Sequence, residues 1–241
     1  GLEEGTEISE YKTQRQMPCH YVGGHHHAAV FQNFVDDFLM EDGMPIEESP
    51  LYDPENIYEN RDPRLYATLY LPGFTELPGG GVYYGHPDSL AQYGFKNAGL
   101  TGYSVKKHFD VDYEGDKEKY GGDILLIRYA EVLLSYLESK LEAGDPITQD
   151  LLDQTINRIR GRDAVNMPAV TEKNPSELRE IIRRERLVEF AFEGIRYWDI
   201  LRWETAVDEL NGKFKGMKLT DDPENYTGAY SIDDEGYLIS I

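Results

Sequence analysis

The chain has 241 residues, with 45 acidic side chains against 24 basic ones and a formal net charge of −21. A surface of that sign repels phosphate backbones and anionic lipid, which argues against a nucleic-acid partner and against membrane docking through protein charge. No run of apolar residues reaches the length of a membrane-spanning helix, and the single cysteine, Cys19, excludes an internal disulfide and a thiolate metal cluster. The opening GLEEGTEISE is acidic and lacks the apolar core of a signal peptide, so a processed or truncated start is expected.

Residues 1–122 read as a loop-rich, ligand-facing region. The triple His25-His26-His27, with His20 upstream, raises zinc, but consecutive side chains diverge and seldom close on one ion. A Gly-flanked surface loop is the plainer reading. AVFQNFVDDFLM, Ala29 to Met40, predicts a short helix with Val30, Phe34 and Phe38 on one face. Pro, Asn and Asp then punctuate the chain. LYATLYL, Leu65 to Leu71, predicts a short strand or one helical turn, and GGGVYYG, Gly79 to Gly85, a hairpin or loop. DVDYEGDKEKYG opens like a calcium loop at Asp110, but its twelfth position is Gly121 where a bidentate glutamate is needed. A calcium ion in this or another acidic loop, such as Asp221–Glu224, and a solvated acidic turn are the two readings left open.

Residues 123–205 predict a helical core. The first helix should be capped by Asp123, bury Leu126, Ala130, Leu133, Leu137 and Leu141, and end at Gly144 and Pro146. In the second, Thr148 is the N-cap, Leu152, Ile156 and Ile159 make the stripe, and Gly161 fits the end. Short linkers predict antiparallel pairs, as in a tetratricopeptide-like stack. The third has Asn174 as N-cap, Pro175 in the first turn and Glu177 in the capping-box position. Gly194 should break it, with RYWDILRW restarting as a separate turn. Residues 206–241 read as an irregular tail with one hairpin.

Two constellations could carry chemistry. Glu185, Glu189 and Glu193 are spaced by four and share a helix face. Paired carboxylates serve glycosidases, but the nearby Arg183, Arg184, Arg186 and Arg196 would hold them ionised, which suits an ion-pair lattice better than a general acid. The second is aromatic. The chain has 18 Tyr, and a ring with a polar tip can stack on a sugar face and hydrogen-bond to it. The expected ligand-binding residues are Tyr83, Tyr84, Tyr93, Phe95, Asn97 and Tyr103, against the alternative that each Tyr packs loops onto the helices. No phosphate loop, dinucleotide fingerprint or nucleophile elbow occurs.

FLMEDGMPI, YENRDPRLYATLY, ILLIRYAEVLLSYLESKLEAG, INRIRGRDAV and SELREIIRRERLVEFAFEGIRYWDILRW follow one another in an order that resembles the carboxy-terminal part of the SusD/RagB family of outer-membrane nutrient-binding lipoproteins. The resemblance covers about residues 36 to 203. It implies a mostly α fold of tetratricopeptide-like helix pairs with long loops and minor hairpins. It also implies a lipid-anchored cell-surface protein that binds glycans without catalysis and hands oligosaccharide to a SusC-like TonB-dependent transporter. No cofactor is implied. Glu189, Glu193 and Arg196 would sit in ion pairs, Trp198 and Trp203 in the packing, and Tyr58–Arg64 in a structural turn. Family members are roughly twice this length. The chain therefore reads as a fragment, without the amino-terminal half, its anchor and the closing segment, and Cys19 is not the anchor. The family's binding loops vary, so no binding residue is carried over. The alternatives are a scaffold that binds only the transporter and a glycoside hydrolase using Glu185, Glu189 and Glu193.

Overall fold

A computed structural model of the chain describes residues 30–76, 81–85, 101–108, 125–171, 173–228 and 230–239. The chain is mostly helical and tetratricopeptide-like, with small antiparallel strand pairs, and forms two compact units. One comprises Asp37–Leu65 and Ile124–Gly212 and holds the long helices; the other comprises Gly1–Asp36, Tyr66–Asp123 and Lys213–Ile241.

Elements are numbered along the chain. α1 is Gln32–Asp36, α2 is Pro63–Thr68, and β1, Leu69–Tyr70, follows it directly. β2 is Ser104–Val105. Then come α3 at Tyr129–Glu142, α4 at Gln149–Gln154, α5 at Ile156–Arg160, α6 at Pro175–Glu189, α7 at Arg196–Arg202 and α8 at Ala206–Leu210. β3, Lys215–Lys218, and β4, Tyr237–Ile239, are separated by a 3-10 turn at Pro223–Asn225.

In the helical unit, α3 buries Ala130, Leu134, Leu137 and Leu141 at the spacing of one helix face. They join Leu152, Ile156, Ile159, Leu178, Ile182 and Phe190 in one core. The helix starts later than the sequence predicts. Arg128 is its extended N-cap, so Leu126 precedes the helix and stands 87% exposed. Its C-terminus is closed by Gly144 at φ +76, whose N–H donates to the Leu141 carbonyl while that of Asp145 reaches Lys140. This crossed pair of bonds satisfies carbonyls that the helix end leaves free.

The helix predicted from Thr148 onward is two. Thr148 Oγ1 accepts the Leu151 N–H as expected, but Thr155 at φ −119 and ψ −97 separates α4 from α5. The Thr155 hydroxyl donates to the Leu151 carbonyl, a back-bond that bends helices. On α6, Asn174 Oδ1 accepts the Ser176 and Glu177 N–H groups, with Pro175 in the first turn. Phe192 at φ +60 and Gly194 at φ +78 end that run, and α7 restarts at Arg196.

The helix expected over 29–40 is confined to Gln32–Asp36. Beyond it the backbone has other partners. The Phe38 carbonyl accepts from Arg61 Nη2, the Leu39 carbonyl accepts the Asp62 N–H, and Met40 bridges to Arg61. In the other unit β1 pairs antiparallel with β2, Leu69 opposite Val105, and β3 pairs with β4. Of the predicted Gly79–Gly85 hairpin or loop, residues 81–85 are described; they form one side of an irregular hairpin, with a bridge between Glu76 and Val82. Buried Val35, Tyr70, Val105, Met217 and Leu238 belong to this unit.

The core and cap predict two costs. Leu134→Ala should lower the unfolding free energy by about 2–5 kcal/mol through transfer and cavity terms. Asn174→Ala should cost about 1 kcal/mol, leaving two first-turn N–H groups without a side-chain partner. Urea denaturation followed by circular dichroism checks both.

Candidate functional site

The glutamates that could carry catalysis are the interior of an ion lattice. Glu185 Oε1 lies 2.5 Å from Arg64 Nη1, and its Oε2 lies 3.0 Å from Arg160 Nη1. Glu189 receives Arg128 on Oε1 at 2.6 Å, and Arg162 at 2.7 Å and Arg64 at 3.0 Å on Oε2. Arg128 also takes Glu193, with Nε 2.7 Å from its Oε2. Arg64 is anchored in turn by Asp62, which meets its Nε and Nη2. The YENRDPR segment is thus more than a turn, because Arg61 and Arg64 are both buried in it.

Electrostatics follow the geometry. Burial pushes the Glu189 carboxyl up, but the Arg128 hydrogen bond and the charges of Arg64, Arg128 and Arg162 outweigh it, leaving the pKa below the ordinary 4.5. Burial likewise opposes the charge on Arg64, and Glu185 and Asp62 overcome it, raising the guanidinium well above its usual range. A general acid needs the opposite arrangement, a carboxyl held neutral near neutral pH. With Glu189 only 4% exposed, substrate access is also closed.

A second cluster joins α3, α6 and α7. Arg186 grips Asp199 through Nε at 2.8 Å and Nη2 at 2.9 Å. Arg202 and the Trp203 indole N–H both donate to Glu138. Burial raises the Glu138 pKa, and the hydrogen bonds from Arg202 and Trp203 bring it below 4.5. The guanidiniums of Arg183, Arg196 and Arg202 lie 5.1, 5.7 and 4.8 Å from the Trp203 ring, so that ring is packed as the resemblance implied. Arg196 is also ion-paired, with Glu209. Trp198 is a correction. It stands 65% exposed, because the short α7 turns Asp199 and Ile200 inward and Tyr197, Trp198 and Leu201 outward.

The aromatic candidates separate sharply. Tyr83 is buried, its hydroxyl donating to the Gly102 carbonyl at 3.2 Å and its ring 5.8 Å from Tyr70. Tyr103 is buried too, its hydroxyl bonded to Gln32 Oε1. Neither presents an open ring face. Tyr84 is 52% exposed, and Phe74, across the same irregular hairpin, is 43% exposed. Phe74 stacks on Tyr66, with ring centroids 5.2 Å apart and planes at 21°. The hairpin is held by Gly73 N–H to Tyr83 O and Tyr83 N–H to Thr75 O. Gly85, at φ +44, lies so close to the rest of its unit that a Cβ there would come 2.1 Å from Gly102 O.

Tyr93, Phe95 and Asn97 lie outside the described residues, as do Cys19, the histidine cluster and the loop starting at Asp110. Among the described residues no group of three or more His, Cys, Asp or Glu has metal-holding geometry. In the acidic turn Asp221–Glu224, Asp222 caps the 3-10 turn by accepting from the Asn225 N–H.

These features define a helix-pair scaffold whose buried carboxylates are structural and whose exposed aromatics sit both on an irregular hairpin and on the outer faces of α3 and α7. The chain belongs to the SusD family, whose profile matches residues 4–235. It is 37% identical to a SusD-like carbohydrate-binding protein of Bacteroides fragilis, superposing with a TM-score of 0.78 over 90% of this chain and 44% of that one. A second SusD-like protein of B. fragilis is 27% identical, with a TM-score of 0.70 over 91% of this chain and 45% of the other. SusD-like protein P38 of Formosa agariphila is 35% identical over 99 residues, which cover 39% of this chain and 20% of that protein. The chain therefore spans less than half the length of each of these relatives. Among the described residues no helix is long and apolar enough to cross a membrane.

The lattice makes stability acid-sensitive. Glu189 and Glu138 have depressed folded-state pKa values, so their contribution is complete above 4.5, the ordinary glutamate value, and is lost as pH falls through the folded value. Unfolding free energy should decline on the acid side of 4.5. Glu189→Gln should cost about 3–5 kcal/mol at pH 7, because it leaves buried guanidiniums without their carboxylate, and should flatten the acid limb. Urea titrations at a series of pH values measure both.

Proposed function

We propose that this chain is part of a non-catalytic, cell-surface glycan-binding protein. It captures oligosaccharides on exposed aromatic rings and delivers them to a SusC-like TonB-dependent transporter in the outer membrane. A lipid anchor outside these residues holds the protein at the surface. The observation that carries the reading is the hairpin bearing Phe74 and Tyr84, the first backed by Tyr66. Rings held from behind lose little freedom on binding and offer flat apolar faces to the C–H faces of sugars. Family membership and the carbohydrate-binding relative in B. fragilis support it. The pairing and burial of Glu185 and Glu189 support the absence of hydrolysis.

A second reading, a scaffold that binds only the transporter, is favoured by a different surface. Tyr129, Val132 and Tyr136 on α3, and Tyr197, Trp198 and Leu201 on α7, are exposed. Exposed apolar patches of this kind mark protein contacts.

Native electrophoresis through gels containing plant, algal or host polysaccharides separates the two. The glycan reading predicts retardation in at least one gel and loss of most of it in a Phe74→Ala/Tyr84→Ala double variant. Each lost aromatic stack should weaken binding by about fivefold or more. Uniform migration of the wild-type chain in every gel, with retained capture of the transporter, would favour the scaffold.

A further inference from the structure

The helical unit contains a cleft of about 220 Å³, whose lining includes Gly43, Arg160, Pro168, Lys173, Ile181 and Arg184. Its charges are unevenly satisfied. The acids have protein partners: Asp42 accepts from the Met44 N–H and the Ser49 hydroxyl, and Glu185 takes Arg64 and Arg160. The cations are less fully paired. Arg160 is 5% exposed and spends Nε on the Pro168 carbonyl and Nη1 on Glu185. Its Nη2 has no acceptor among the described residues, and it lies where a Cβ on Gly43 would come within 3.5 Å. Arg184, half-buried, and Lys173, exposed, also have no partner among the described residues.

The donor edge of Arg160 that no protein group takes opens toward the cleft, where a ligand oxygen can complete it with a charge-assisted hydrogen bond. Two further cations beside it make the cleft locally basic in a chain of net charge −21. Long-range repulsion from that charge is screened within about 8 Å at physiological salt, whereas direct charge-assisted hydrogen bonds are not. Pro168 and Ile181 add apolar surface beside these donors. The volume falls below the roughly 300–1,000 Å³ of pockets for drug-sized ligands, which suits one sugar unit.

We propose that this cleft binds the carboxylate of an acidic sugar, a uronic-acid unit, with Arg160 Nη2, Arg184 and Lys173 as donors and Pro168 and Ile181 against the ring. That the carboxylate belongs to a sugar rests on the glycan-binding reading above. The cleft shares no residue with the Phe74 and Tyr84 hairpin, so the two readings are tested by different variants.

Proton–nitrogen chemical-shift titration of the 241-residue chain in about 0.15 M salt tests it. The probes are sodium D-glucuronate and sodium D-galacturonate, with D-glucose, D-galactose and sodium acetate as matched controls. The expected result is saturable shifts for a uronate on amides of residues 168–173 and 181–185, with no saturation for the neutral sugars. Arg184→Gln and Lys173→Gln should each weaken uronate binding about tenfold, the scale of one charged hydrogen bond. They should leave the melting temperature and the retardation by neutral polysaccharide unchanged. Absence of uronate shifts, unaltered affinity in both variants, or acetate binding as tight as uronate would overturn the proposal. Loss of polysaccharide retardation in the Phe74→Ala/Tyr84→Ala variant with uronate binding intact would support both readings as separate sites.

Discussion

Four guanidiniums, those of Arg64, Arg128, Arg160 and Arg162, close around the carboxylates of Glu185 and Glu189. They come from the first turn of α2, the N-cap of α3, the end of α5 and the residues just beyond it. The lattice therefore fixes where four separate pieces of one unit meet α6. Swapping such a lattice for apolar residues of equal volume can be neutral or stabilising, while removing one member strands buried charge. Its structural weight lies in that asymmetry: every piece must be in register for any of the charges to be satisfied.

This constraint decides what the helices can do. Glutamates at i, i+4 spacing look like an acid and a nucleophile on a helical wheel. With Glu185 and Glu189 buried and pinned by two or three arginines each, neither is placed to donate a proton to a substrate or to attack one. On the function proposed here, recognition falls to groups outside the lattice contacts. One set is the exposed rings of Phe74 and Tyr84 in the other unit; the other is the vacant donor edge of Arg160, a by-product of the same lattice. Arg160 thus has a structural face toward Glu185 and an open face toward the cleft.

Much of the fold was legible because its signals are local. Thr148, Asn174 and Pro175 announce helix starts through side-chain capping and a fixed φ, and Gly144 and Gly194 announce ends through positive φ. The family resemblance was legible for a related reason, since the lattice residues and the tryptophans lie in short local motifs that follow one another along the chain. Features settled by tertiary contacts were not legible. Leu126 fits an apolar stripe, yet Arg128 is drawn to Glu189 and Glu193 and the helix begins after it. Met40 fits a continuing helix, yet its strand-like bridge to Arg61 takes precedence. Tyr83 and Tyr84 are adjacent, yet one is buried and the other exposed, and composition cannot say which. The cleft at Arg160 and Arg184 escaped for a further reason. A basic side chain without a partner is visible only when all the others have been paired.

The central claim is that this chain binds glycan without cleaving it. The most direct measurement is retardation of the wild-type chain in a polysaccharide gel together with assay of new reducing ends after incubation with the same polysaccharide. The account predicts retardation with no reducing ends above the protein-free control. Reducing ends that grow with time, and vanish in a folded Glu185→Gln or Glu189→Gln variant, would contradict it.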